Sequence, residues 1–488
     1  MRTARSSLVK WATILFMATQ PIIWLSAFGT GNLGIKPVHL CFVLMAVAGV
    51  LCWGRSLARW PTGGFSALFS YLYAAIILWC WATLTWSGTP DGLTSNVKDT
   101  LYFGMFVITY GIWRNLSDNE KKIIASWGSA LGIFAFLLVA EITFIKLGRN
   151  FVGDYIKAVA TGNVVSLQFD FYPKLFNFVT GATSRKLDAD YISTSLRNNL
   201  VGAFVVYIFL INAYAGGGTG SKSISRTKLV RYSVTAIAAI LVFTAVSRSN
   251  WIALLVGGLS VAVAAIFKRR MRIQSGKVIS RNTILIRVAC VSLALGLASA
   301  ALTTPLASSV FNIIYSRTST LQTDNRWGMY SDAMDKISER PIEGYGVATT
   351  VLAENFNLQI HNFILAAWFE TGIVGMLLSI AVYAVLGFAW LRCMFSTKYT
   401  AEPGGPSLIW LCALPVLPLV RLMVAGEGGG VSVVEWLALA IFFAETGRLT
   451  NKNRAATNAY IASGPGASAS PSIPGPAREI GIIPQTSS

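Results

Sequence analysis

Three residues far apart in the chain have the types that phosphate-leaving chemistry needs. His361, in "LQIHNFILAAWFETGIVGMLL", stands at the mouth of a long apolar run. Asn362 follows it, and Glu370, Gly372 and Gly375 lie roughly two to three helical turns further in. An imidazole changes charge near neutral pH, so it can take a proton from a sugar hydroxyl. Arg248, in "TAVSRSNWIALLVGG", and Arg326, in "TDNRWGMYSDAMDKISERP", carry permanent charge on planar forks that match phosphate oxygens. Two such arginines can neutralise a pyrophosphate leaving group without a metal ion. Each residue also has a plainer use. A lone histidine is commonly an interfacial polar residue, and Arg248 could simply snorkel to lipid headgroups.

The elements that must position these side chains are membrane helices. The chain has 488 residues, of which 54% are hydrophobic and only 12% charged, a balance that excludes a soluble globular domain of this size. Apolar segments recur at about 11–28, 37–53, 68–86, 100–113, 124–146, 198–215, 229–246, 250–267, 283–301, 363–391, 407–424 and 431–446. The fold class expected is all-α, a polytopic membrane protein of about twelve transmembrane helices. The formal charge of +19 is dispersed between apolar runs, as in "WGRSLARW", "RNLSDNEKK" and "FKRRMRIQSGKVISR". That pattern reads as a topology signal and not as a nucleic-acid surface. With the basic connections in the cytoplasm, Arg248, Arg326 and His361 all fall on the outer side, where an arginine in a short turn is costly to place. The N-terminal segment lacks a small-x-small cleavage site and is read as a retained first helix. The six cysteines show no paired spacing, so neither a disulfide framework nor a zinc site is expected.

Two outer loops are long, about 147–197 and 302–362. In the second, Trp327, Tyr330, Met334 and Ile337 recur at helical spacing, and Pro341 stops the run. This predicts an amphipathic helix along the membrane surface beginning beside Arg326. Gly344 and Gly346 in "PIEGYG" suit a tight turn where backbone approaches a ligand or another segment. Residues 1–454 form the membrane domain in this reading. The Gly/Pro/Ala/Ser-rich tail at 455–488 is expected to be disordered and cytoplasmic.

"SRSNWIALL", "DNRWGMYSDAMDKISERPIEGYG" and "HNFILAAWFETGIVGMLL", in this order, resemble the O-antigen ligase and polymerase superfamily. The pattern covers about 240–380. The resemblance implies a GT-C-like membrane fold and an inverting, metal-independent glycosyltransferase with no cofactor. Its donor would be a glycan on undecaprenyl pyrophosphate, used at the periplasmic face of the bacterial inner membrane. The acceptor would be lipid A core for a ligase, or a lipid-linked repeat unit for a polymerase, and the residues do not separate the two. Arg248 and Arg326 fall on the family's pyrophosphate-holding arginines. His361 falls on the histidine that activates the acceptor hydroxyl or steadies the departing phosphate. Asn362 and Glu370 match the signature as helix-orienting residues, and Gly372 and Gly375 as positions where neighbouring helices approach closely. "LRNNLVGAF" resembles the family's helix entry after the first long outer loop, so Arg197 is read either as a further phosphate contact or as a helix-end anchor. Arg421 and Glu427 flank the outer end of one helix and are read as pairing with each other or lining the cavity.

Other chemistry is less well supported. Asp188-x-Asp190 in "LDADY" has the form of a metal-binding pair, but no other carboxylates cluster with it. A membrane transporter or channel for a small solute is the alternative class, since intramembrane charges also suit a solute path. No inverted repeat accompanies them.

Overall fold

The structure is a computed structural model. It describes residues 2–23, 25, 35–54, 57, 60–61, 64–87, 91–161, 186–214, 226–245, 247–274, 326–348, 360, 362–395, 406–424 and 432–462. Among them the regular elements are helices: α1 (Arg2–Ala18), α2 (Pro37–Trp53), α3 (Gly64–Thr83), α4 (Asp91–Asn115), α5 (Asp118–Lys146), α6 (Phe151–Ala160) and α7 (Lys186–Ala213). They continue with α8 (Arg226–Thr244), α9 (Arg248–Gln274), α10 (Arg326–Glu339), α11 (Phe363–Phe395), α12 (Leu408–Leu411), α13 (Val416–Val424) and α14 (Val433–Ala462).

Four segments, Gly64–Thr83, Asp118–Lys146, Arg248–Lys268 and Phe363–Phe395, are long and apolar enough to cross a membrane. Shorter apolar helices include Pro37–Trp53, Asn199–Ala213 and Leu229–Thr244. The expected segment at 283–301 lies outside the described residues. Several boundaries moved. The fourth segment, expected at 100–113, belongs to a 25-residue helix that starts at Asp91. The segment expected at 407–424 is two short helices, α12 and α13. Helix α14 runs on to Ala462, past the expected start of the tail, and residues 463–488 lie outside the description.

Burial separates two kinds of helix. In α7, residues 200–211 are buried, and in α14 so are residues 433–445. A helix that is apolar all round and covered all round is a core helix. By contrast α2 exposes Val43, Val47 and Leu51, and α9 exposes Leu255 and Leu259, stripes that suit lipid. Trp436 of α14 is enclosed by rings from α3 and α4: Tyr73 at 4.6 Å, Phe106 at 5.3 Å and Phe103 at 5.8 Å between centroids.

Helix α14 also carries two carboxylates, each matched by one cation. Glu435 meets Arg421 of α13, Nε to Oε1 3.2 Å. Glu445, ten residues and about 15 Å further along, meets Lys121 of α5 at 2.7 Å. Trp113 Nε1 and Tyr214 Oη also donate to Glu445 Oε1, at 3.1 and 2.7 Å. Lys121 and Glu445 are 1% and 0% exposed, so this pair joins α4, α5, α7 and α14 in a fully dry setting.

Candidate functional site

Residues 326–348 fold back onto α11. Tyr330, Ala333 and Ile337 of α10 form the face that packs on Ile360, Ala366 and Phe369. Met334, expected in this stripe, is 44% exposed; Ala333 takes its place because it falls on the packed face at i+3 from Tyr330. The amphipathic helix is real, but its apolar face is turned to protein.

Pro341–Ala348 then inserts against a break in α11. At Gly372 the backbone leaves the helix with φ 70° and ψ −167°, a region open essentially to glycine alone. The break frees the carbonyls of the preceding turn, and the structure supplies donors for them. Tyr345 N–H bonds Phe369 O at 3.0 Å, Gly346 N–H bonds Glu370 O at 2.7 Å, and Trp79 Nε1 bonds Thr371 O at 2.8 Å. On the other side of the break, Ile373 N–H donates to Pro341 O at 3.1 Å. Non-helical backbone within an apolar helix is tolerated when protein satisfies it in this way.

The glycines are therefore explained differently from the sequence expectation. A Cβ on Gly372 would sit 2.0 Å from Ile342 O, and one on Gly344 would sit 2.5 Å from Gly372 N. Gly372 admits a loop, not a neighbouring helix. A Cβ on Gly375 would strike Thr371 of its own helix. Gly344 and Gly346 make the close approach foreseen for "PIEGYG": Gly344 against α11, and Gly346 against Ser87 just after α3.

Tyr345 locks the loop from above. Its ring stacks on Phe369 at 5.0 Å, and its hydroxyl donates to Glu339 Oε2 at 2.7 Å. Burial, followed by that hydrogen bond, pushes Tyr345 up to about 12, so the hydroxyl remains a donor.

The start of α11 answers why His-Asn precedes an apolar helix. Asn362 is the N-cap: its Oδ1 accepts from Leu365 N–H at 3.0 Å, and its carbonyl accepts from Ala366 N–H at 2.8 Å. Asn362→Ala is expected to cost about 1 kcal/mol and to lower activity through the adjoining His361, while Asn362→Ser retains both. Thermal unfolding and glycan transfer measured on the same preparations check this.

The sequence-derived site residues are placed as follows. Arg248 is the first residue of α9 and half-buried; Arg326 is the first residue of α10. Arg197 lies in α7. His361 and Glu427 lie outside the described residues. Glu370 faces a cavity between α3, α4 and α11, and its carboxylate accepts from Ala348 N–H. Arg421 is 3% exposed and pairs with Glu435; Glu427, expected either to pair with it or to line the cavity with it, lies outside the described residues. Arg421 Nη2 also donates to Asn199 Oδ1 at 3.0 Å. Gly202 lets the guanidinium approach: a Cβ there would lie 3.2 Å from Arg421 Nη1 and 3.6 Å from Asn250 Oδ1. Asn250 in turn donates to Ser247 at 2.8 Å, beside Arg248. A polar seam thus runs from Glu435 through Arg421 to the first turn of α9.

Sequence reasoning passed over Glu435, Glu445, Lys121, Asn96 and Asp99. The signal for Glu435 was present: Ser432-x-x-Glu435 opens an apolar run and forms a capping box, with Ser432 N–H donating to Glu435 Oε2 at 2.7 Å.

Among the described residues the fold is all-helical, with four segments long and apolar enough to cross a membrane, which supports a multi-pass membrane protein. Residues 233–380 match the family model described as O-Antigen ligase, which supports membership of the O-antigen ligase superfamily. The matched stretch contains Arg248, Arg326, His361, Asn362 and Glu370. No curated protein matches the chain.

Proposed function

We propose that this protein is a glycosyltransferase of the O-antigen ligase and polymerase type, moving a glycan from undecaprenyl pyrophosphate to a sugar hydroxyl at the periplasmic membrane face. The observation that carries the proposal is the family match across 233–380, which spans both arginines and the histidine. Their placement supports it. Arg248 and Arg326 open α9 and α10, and His361 precedes the cap of α11. Unpaired N–H groups and the positive end of the helix dipole favour anions at such positions, and guanidinium groups add full charges.

In this reaction the acceptor oxygen attacks the anomeric carbon while the bond to pyrophosphate breaks. The electron pair leaves on a phosphate oxygen held by Arg248 and Arg326. His361 takes the proton from the acceptor hydroxyl. Glu370 and Asn362 hold the first half of α11, and with it His361. The GT-C-like architecture, the inner-membrane location and the absence of any metal requirement in catalysis belong to the same proposal.

Glycan profiling of a deletion strain tests it. Complementation with Arg248→Ala, Arg326→Ala or His361→Ala is expected to lower transfer on the order of 10²-fold or more each. Accumulation of long undecaprenyl-linked chains unattached to core identifies a ligase; accumulation of single repeat units identifies a polymerase. Normal lipopolysaccharide, secreted polysaccharide and lipid-linked intermediates in the deletion strain and all three variants would refute the transfer reaction.

A further inference from the structure

The cavity faced by Glu370 has a lining chemistry that the transfer reaction does not use. It measures about 40 Å³, and its polar lining includes Asp99 and Asn96 of α4, Glu370 and Ser379 of α11, and Cys80 of α3. Asp99, Glu370 and Cys80 line this one cavity from three different helices. No lysine or arginine is among the described residues that line it. Lys98 acts on Asp99 from the exposed face of α4. Two carboxylates in an apolar cavity need compensating positive charge or a proton.

A second, independent observation points to an occupant. Asn96 is 1% exposed and uses its Nδ2 on Cys80 O at 2.8 Å, leaving Oδ1 with no partner. Ser379, fully buried on the same cavity, has a hydroxyl oxygen with no partner. Buried acceptors of this kind are costly unless something donates to them or binds them. Asn96 Oδ1 and the two carboxylates are acceptors, and the Ser379 hydroxyl can accept or donate. The volume suits a few water-sized bodies and excludes a sugar ring.

We infer that this cavity binds one small hard cation, held by the Asp99 and Glu370 carboxylates and Asn96 Oδ1, with water completing the shell. Carboxylate, amide carbonyl and water oxygens are the ligand set that such ions take. Na⁺ and Ca²⁺ share this chemistry. The ion is structural: it ties α4 to the first half of α11, ahead of the Gly372 break. The inference stands without the transfer reaction, and its test measures binding and not activity.

Equilibrium binding of ⁴⁵Ca²⁺ and ²²Na⁺ to the purified full chain in detergent, each after exhaustive chelation and desalting, distinguishes the two ions. Saturable binding of one of them near one ion per chain is expected, with affinity falling on the order of tenfold or more in Asp99→Asn and in Glu370→Gln. Asp335→Asn, on the exposed face of α10, should bind like wild type. Should either carboxylate variant fail to elute as a single folded species, Asn96→Ala replaces it and is expected to weaken binding by a smaller factor. Absence of saturable binding of both ions overturns the inference and leaves the charge to be met by protonation. Binding that is unchanged in every cavity variant overturns it equally.

Discussion

Glu435→Ala is expected to destabilise the protein by about 3–5 kcal/mol, because it strands Arg421 in a setting where the two side chains are 3% and 4% exposed. The guanidinium would keep Asn199 and Ser432 as neutral partners, at 3.0 and 3.5 Å, but lose its counter-charge. Glu435 is also the capping-box residue of α14, so its removal releases Ser432 N–H as well. Replacing both members by apolar side chains of similar size, Arg421→Met with Glu435→Leu, is expected to recover most of the loss, since no buried charge is then left uncompensated. Thermal unfolding of wild type, Arg421→Met, Glu435→Leu and the double variant in detergent gives the double-mutant cycle. Equal losses in Glu435→Ala and in the double variant would show that the ion pair is not what the site depends on. The sequence reads Arg421 as pairing with Glu427 or lining the cavity; in the structure it pairs with Glu435.

Gly372→Ala is expected to cost about 3 kcal/mol or more and to abolish activity. The residue sits at φ 70°, ψ −167°, which alone costs an alanine about 1–3 kcal/mol. The added Cβ would also meet Ile342 O at 2.0 Å, a backbone atom that can yield only if the 341–348 loop moves. Displacing that loop removes the donors for Phe369 O and Glu370 O together. The effect should therefore exceed that of Gly328→Ala in α10, where a Cβ would meet nothing within 4 Å. Limited proteolysis between α10 and α11, read beside the unfolding temperature, tests both parts. Intact loop protection in a folded Gly372→Ala protein would contradict the proposed docking. Because the loop follows directly from α10, its loss would also disturb Arg326 relative to the start of α11.

Sequence by itself determined what depends on neighbours along the chain. Apolar length set the membrane-spanning class, and the run around Tyr330 and Ile337 set the existence of α10. The order Arg248, Arg326, His361 pointed to the family that matches 233–380. Local spacing also marked "PIEGYG" as a point of close approach. Only the tertiary structure decided which partners met across long separations. Lys121 with Glu445, and Arg421 with Glu435 and Asn199, come from different helices, as do Asp99 and Glu370 on their shared cavity. An isolated acidic residue in an apolar run states that a partner must exist, because a lone charge there is too costly; it does not state which one. The same limit applies to Gly372. Glycine in a helical run signals a close contact, but only packing showed that a returning loop, and not a second helix, fills the space.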